Sequence, residues 1–249
     1  MHALILNLKR RPDRRTQFLD WNGHHDIAFE FVEAVDGQTL SRQCLRDQGL
    51  ITDDTDRWTV GALGNALSHR RLWIRAVETG EPQWVFEDDA CLRGDFSTRL
   101  PQILEGLDDP DFLYLGFNTN ASLCVEGPEG LISVVLFDES CKRSPDYFRR
   151  YSRLCSARPP NVLRCLQAWG HPAYMVTPRG AKRLLERCFP LRSSPPLPLL
   201  GQNRQISPYT LDGLINLTLL RQGIESRCCF PPLVLTPNDY HGSDVVTLP

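Results

Sequence analysis

Short apolar runs alternate along the chain with longer stretches in which apolar residues return every three or four positions, and this predicts strands and helices in turn. Residues 3–8 are an apolar run of strand length. The sequence Arg11-Pro12-Asp13-Arg14-Arg15 follows, with Pro12 suited to the first turn of a helix and Asp13 to its positive end, so a helix is expected to about Trp21. A second strand is expected at 28–34, closed by the turn signal Val35-Asp36-Gly37, and 40–56 is polar and irregular. Leu63, Leu67, Trp73, Ile74 and Val77 fall near one face and predict a helix over 61–77, ended by Thr79-Gly80-Glu81-Pro82. Strands are expected at 83–86, 112–115, 173–176 and 225–234, and helices at 96–107, 178–188 and 211–223, the last led by Asp212. Two stretches, 141–161 and 191–208, carry no clear period and read as mobile loops of a length often found in active-site lids.

Strands alternating with helices imply an α/β fold, a sheet with helices on both faces. No internal repeat and no break in composition marks a boundary, so the 249 residues are expected to form a single domain, and an apolar content of 41% is enough to fill its core. A formal net charge of -2 gives no electrostatic basis for binding nucleic acid. The nine cysteines are odd in number, irregularly spaced and form no CxxC pair, which argues against a zinc ribbon or finger. They fit reduced, buried thiols of a cytosolic protein, with one or two disulfides left open. The N-terminal apolar stretch is too short for a signal sequence and precedes its charges, and no stretch approaches the roughly 20 apolar residues of a membrane span. The expectation is a soluble cytoplasmic protein, with peripheral contact at the inner face of a membrane left open.

The densest chemical signal is Trp84-Val85-Phe86-Glu87-Asp88-Asp89, three apolar residues running into three acidic ones. The apolar part reads as the end of a buried strand, where α/β proteins bind ligands. Carboxylates packed this closely repel one another unless a cation neutralises them, and a cation held by few carboxylates keeps positions open for phosphate oxygens. The plainer reading is a solvated turn or helix cap, since Asp favours both.

Five stretches carry a resemblance to a known family. They are Leu4-Ile5-Leu6-Asn7-Leu8 running into Arg11-Pro12-Asp13-Arg14; Val32-Glu33-Ala34-Val35-Asp36-Gly37; Gly61-Ala62-Leu63-Gly64-Asn65-Ala66-Leu67-Ser68-His69 with Trp73; Val85-Phe86-Glu87-Asp88-Asp89; and Ala173-Tyr174-Met175-Val176-Thr177-Pro178-Arg179-Gly180-Ala181. In this order and spacing the chain resembles glycosyltransferase family 25, whose members build lipopolysaccharide in bacteria and glycosylate collagen in animals. Asn65 departs from the cysteine usual at that position, and the tail 238–244 departs as well, fitting only loosely at its Ser-Asp end. The resemblance implies a GT-A architecture, a nucleotide-binding sheet flanked by helices. It further implies transfer of a sugar from a nucleotide-sugar donor, a UDP-sugar, to the hydroxyl of a glycan acceptor of the lipopolysaccharide class. A divalent cation, Mn2+ or Mg2+, would bridge the donor diphosphate.

The candidate residues each carry an alternative. Asp89 is the foremost metal ligand, and Glu87 would touch ribose or base or bind the cation through water. Asp88 would do either, or only cap a turn. Ser68 and His69, at mid-helix, would contact the donor diphosphate or sugar, with His69 also a catalytic candidate, or would be buried polar groups satisfied within the core. Asn7 would read an edge of the uracil, and Arg11 and Arg14 would meet phosphate, the alternative for both arginines being surface ion pairs worth little. Asp212 is either a helix cap or the general base of an inverting displacement. His241 would complete the metal site or lie on the surface. The segment 141–161 would close over the donor and exclude water. Two other classes stay open: a metal-dependent phosphohydrolase, disfavoured because the six histidines form no HxH or HxxxH pattern, and a non-catalytic nucleotide- or carbohydrate-binding protein.

Overall fold

The computed structural model describes residues 1–221, 223–238 and 244–245. The first apolar run is β1 (His2–Asn7), and the proline-led segment after it is α1 (Pro12–Asn22). There follow β2 (Ala28–Glu33), α2 (Arg42–Asp47), α3 (Val60–Thr79), β3 (Gln83–Glu87), β4 (Cys91–Leu92), α4 (Phe96–Glu105) and β5 (Phe112–Gly116). The middle of the chain holds β6 (Leu123–Glu126), β7 (Ile132–Val135), α5 (Tyr147–Tyr151), β8 (Asn161–Gln167), β9 (Ala173–Val176) and α6 (Pro178–Cys188). The last part contains β10 (Leu197–Leu199), β11 (Arg204–Ile206), α7 (Leu211–Leu220), β12 (Ser226–Phe230) and β13 (Val234–Leu235).

These elements build a single α/β domain around a mixed sheet in the order β2-β1-β3-β9-β5-β12-β8-β6-β7, with β13 beside β4 and β5. The arrangement is consistent with a GT-A-like fold. β1, β2 and β3 run parallel, whereas β9 is antiparallel to both β3 and β5. Strand side chains alternate between faces, and the core divides accordingly. Leu4, Leu6, Val85 and Tyr174 face the layer that includes Leu63, Trp73, Leu184 and Leu214 of α3, α6 and α7. Ala3, Ile5, Phe86 and Ala173 face Phe18 of α1 and Phe96 and Leu100 of α4. Helices therefore cover both faces, as the alternating pattern implied. All nine cysteines are unpaired, six of them buried. No helix among the described residues is long and apolar enough to cross a membrane.

Several expectations need correction. The stretch 141–161 is not irregular throughout: α5 lies within it and buries Phe148 and Tyr151 against Trp21, Cys91 and Leu235, while the Tyr151 hydroxyl donates to the Pro232 carbonyl at 2.9 Å. Its five residues are too few to display a period. The stretch 191–208 contains the β10–β11 hairpin, whose edge position tolerates Pro198. The polar segment 40–56 contains α2, and the late strand is split into β12 and β13 around Pro231-Pro232, which have no N–H to donate. Val77 is 41% exposed, off the buried face of α3.

The N-terminal half of α3 lies directly on the turn after β2. A Cβ on Gly64 would stand 2.6 Å from the Val35 carbonyl oxygen and 2.7 Å from the Gly37 nitrogen, so only glycine permits this approach. Ser68, one turn on, donates to the Gly64 carbonyl at 2.7 Å and accepts from the Val35 N–H at 2.8 Å. Its hydroxyl thus joins α3 to the end of β2, and Ser68 also lines the cavity at the carboxyl ends of the strands. Ser68→Ala orphans the Val35 N–H and is expected to cost about 1–3 kcal/mol in chemical denaturation, with nucleotide affinity in the folded variant unchanged within about twofold, a margin of roughly 0.4 kcal/mol.

Candidate functional site

A cavity of about 530 Å³ opens where β1, β2 and β3 end. Arg10 and Arg14 line it after β1, Asp36 after β2, and Gly61 and Asn65 from the first turns of α3. Glu87, Asp88 and Asp89 form its acidic wall, and Asn118, His171, Asp212 and Thr236 come to it from later in the chain. This is the carboxyl-end crevice in which open α/β sheets bind ligands.

The acidic run does not converge. Val85 faces α3 and Phe86 faces α1, so alternation sends Glu87 to the α3 side and Asp88 to the α1 side. Asp88 is buried and receives the Asn7 amide at 2.7 Å and Arg14 at 2.9 Å. Burial raises its pKa even against these two partners. Glu87 meets the opposite set: Asn65 Nδ2 donates to Oε1 at 3.1 Å, His69 Nε2 lies 3.6 Å from the same oxygen, and His171 Nε2 lies 3.9 Å from it. Asp89, just past the strand, has one buried carboxylate oxygen without a hydrogen-bond partner, while the Thr236 side chain bonds the carboxylate.

Electrostatics separates the carboxylates. Burial works to raise Glu87, but His69, His171 and Asn65 outweigh it and hold the group below the usual carboxylate range. Burial, reinforced by the Glu87 charge, pushes Asp89 up to about 7. Burial and the neighbouring His171 push His69 down to about 4, so its imidazole is neutral at physiological pH. His69 is held by Tyr174, whose Oη lies 2.7 Å from Nδ1 and also accepts from Trp73 Nε1 at 3.0 Å.

The remaining expected site residues fall in different places. Asn7 directs its amide to Asp88 and to the Arg11 carbonyl at 3.1 Å. Arg11 pairs with Asp13 at 2.8 Å and Asp244 at 2.6 Å, and its neighbour Arg10 lines the cavity, pairing with Asp36 and Asp244 at 2.8 Å each. Asp212 is in the first turn of α7, accepting from Gly170 N–H and Gly213 N–H at 2.9 Å each and from the Thr210 hydroxyl. Thr210 is the N-cap of α7, and Asp212, inside the first turn, lines the cavity. His241 lies outside the described residues.

Four residues escaped the sequence reading. His171 precedes β9 by two positions and reaches Glu87 only because β9 runs antiparallel to β3, a register no linear spacing encodes. Arg10 lies in the basic cluster Lys9-Arg10-Arg11 with Arg14-Arg15, which by itself could meet phosphates or equally be a solvated helix face. Asn65, visible only as a departure from the family cysteine, proves to be a donor to Glu87. Lys142 sits in the short 3-10 helix Ser140–Arg143, bonded to Glu139 at 2.5 Å and to the Thr236 carbonyl at 2.8 Å, near enough to Asp89 for the carboxylate charge to support its ammonium against the burial that lowers its pKa.

Comparison with known proteins places this geometry. The model of glycosyltransferase family 25 (LPS biosynthesis protein) matches residues 1–195. The chain belongs to glycosyltransferase family 25. It is 28% identical over 262 residues to procollagen galactosyltransferase 1-A of Xenopus laevis, covering 97% of this chain and 36% of that protein. It is 33% identical over 145 residues to mouse inactive glycosyltransferase 25 family member 3, covering 52% of this chain and 24% of the relative. The chain thus spans between about a quarter and about a third of the length of these relatives.

The raised pKa of Asp89 has a thermodynamic consequence. Between the unfolded value of 3.8 and the folded value of about 7, the folded state holds a proton that the unfolded state has lost. Stability contributed by this group is therefore full below pH 3.8 and falls as pH rises to about 7, by roughly 4 kcal/mol at 1.36 kcal/mol per unit. In chelator, urea unfolding of the wild type should weaken over this window markedly more than that of Asp89→Asn, and the variant should be the more stable protein at pH 8.

Proposed function

We propose that the chain is a hexosyltransferase that moves a sugar from a UDP-sugar to an acceptor hydroxyl on a glycan. The observation that carries this reading is the buried, unpartnered carboxylate oxygen of Asp89 on the wall of a cavity that Arg10 and Arg14 also line. An acidic wall facing two guanidinium groups suits a ligand that is anionic yet arrives with a cation. Oxygen donors of this kind fit a hard divalent ion, so Asp89 would hold Mn2+ or Mg2+. When bound, such an ion offsets charge developing on the departing nucleoside diphosphate.

The chain's own residues supply the rest. Arg14, anchored by Asp88, and Arg10 present planar donors suited to phosphate oxygens. Asp212 is held by three donors in the first turn of α7, and a carboxylate has about four acceptor positions. The remaining one is available to take the proton of an acceptor hydroxyl as it attacks, and direct displacement would invert the anomeric centre. His69, fully buried behind Glu87, acts as a positioning residue. The family description favours a lipopolysaccharide acceptor, whereas the Xenopus relative is named for procollagen. A second reading, donor binding without transfer, draws on the mouse relative, which is named inactive.

Calorimetric titration of UDP, GDP and CMP with and without Mn2+ tests the donor. UDP alone should bind tightly, only with the metal, and Asp89→Ala should weaken it about 100-fold, or roughly 2.7 kcal/mol. Incubation with UDP-hexoses and acceptor glycans should then release UDP with formation of glycosylated product, and Asp212→Asn should remove turnover while leaving UDP affinity intact. Absence of any nucleotide binding would overturn the donor assignment, and UDP binding without product on any glycan acceptor would favour the binding-only reading.

A further inference from the structure

The wall of the cavity on the α3 side holds a second, differently composed group of ligands. We infer that His69, Glu87 and His171 form a binding site for one divalent transition-metal ion of the Zn2+, Co2+ or Mn2+ kind. This inference needs only these three side chains and does not rest on the identity of the donor.

One ligating atom from each of the three residues lies within 4.8 Å of the others. The separations from Glu87 Oε1, 3.6 Å to His69 Nε2 and 3.9 Å to His171 Nε2, are too long for hydrogen bonds. Two atoms each about 2.1 Å from a shared ion stand about 3.4 Å apart at the tetrahedral angle. The two separations from Glu87 exceed that spacing by a few tenths of an ångström, and the two imidazole atoms stand within 4.8 Å of one another.

Hydrogen bonding points the same way. Buried ring nitrogens are normally satisfied, yet His69 Nε2 and both ring nitrogens of His171 are buried without a partner. A metal-free arrangement can be drawn for His69: the Tyr174 hydroxyl donates to Nδ1 and the ring proton sits on Nε2, facing Glu87. It leaves His171 unexplained, since neither of its nitrogens meets a donor or an acceptor. With an ion present, His69 Nδ1–H donates to Tyr174 Oη and Nε2 offers its lone pair. A second-layer bond to the far nitrogen is how metal-binding histidines are commonly oriented, and Trp73 in turn fixes the Tyr174 oxygen. Asn65 orients the carboxylate from the other side.

The donor set also selects the ion. Two imidazole nitrogens and one carboxylate oxygen suit borderline transition metals, whereas Mg2+ and Ca2+ prefer oxygen alone. Glu87 and His171 both line the cavity, which supplies a path of entry. The ligands come from α3, the end of β3 and the approach to β9, so the ion would tie a helix to two adjacent strands.

The test uses the full chain, stripped with chelator and titrated with CoCl2 and ZnCl2, with MgCl2 as control, by visible absorption and calorimetry. One equivalent of Co2+ should bind and show the intense visible bands of a low-coordinate ion, Zn2+ should displace it, and Mg2+ should not compete. His171→Ala and the bulkier His171→Gln should each weaken Co2+ about 100-fold, and Tyr174→Phe about 10-fold. Asp89→Asn should retain the bands. Circular dichroism confirms that each variant is folded, and the His171 pair keeps the test decisive where Tyr174→Phe fails to fold. Three results would each overturn the site: no uptake of Co2+ or Zn2+ by the stripped wild type, uptake unaltered in both folded His171 variants, or uptake lost in Asp89→Asn instead. UDP titration of the same samples keeps the readings apart, since UDP binding that survives the loss of Co2+ in His171→Ala leaves the donor assignment standing.

Discussion

Alternation of side chains along β3 governs what this site can be. The strand is buried on both faces, its last apolar residues Val85 and Phe86 belonging to opposite core layers. Whatever follows them must also part to opposite sides. Glu87 is thereby committed to α3 and its histidines, and Asp88 to α1 and Arg14. Three adjacent acids are thus converted into three separate electrostatic problems. Asp88 is solved by a guanidinium and an amide. Glu87 is solved in part by Asn65 and neutral imidazole. Asp89 is left with a raised pKa and a bare oxygen.

That division explains why the surrounding elements sit where they do. Gly37 and Gly64 bring α3 into backbone contact with the turn after β2, and Ser68 locks the approach. The helix is then held one side chain away from Glu87, so Asn65 and His69, four residues apart on the same face, both address it. Tyr174, on β9, stands behind His69 because β9 pairs with β3 at Val85. A buried polar network of this kind is costly when half-satisfied and rigid when complete, which is the sense in which His171 is the conspicuous member.

Most of the fold could be read from the chain, because long periodic segments and proline or threonine at helix starts announce themselves. Thr177 caps α6 and Pro178 opens it, and the limits expected there, like those of β9, are the observed ones. β4 and α5 escaped because they have too few residues to show a period, and their order comes from burial against elements far away in sequence; β6, β7 and the seven-residue β8 escaped as well, so shortness is not the whole reason. The site was legible where a run of sequence is itself the site, as in Glu87-Asp88-Asp89 and Arg14. It was illegible where the fold folds back on itself. The absence of any HxH or HxxxH spacing said nothing about His69 and His171, whose rings lie 4.3 Å apart from positions on α3 and before β9. For Ser68 and Asn7, only the structure shows the bonds their side chains make, to backbone and to Asp88.

The mixed order of the sheet bears on how the protein comes into being. The cavity takes walls from Arg10, Asn65, Glu87, His171, Asp212 and Thr236, contributions spread across most of the chain. The strand between β3 and β5 is β9, which arrives more than fifty residues after β5. During synthesis the acidic end of β3 therefore has β1 on one side but stays open on the other until β9 slots in beside it. Contacts of such long sequence separation are slow to form because the intervening chain must first lose its freedom. The complete pocket accordingly requires most of the chain to be in place.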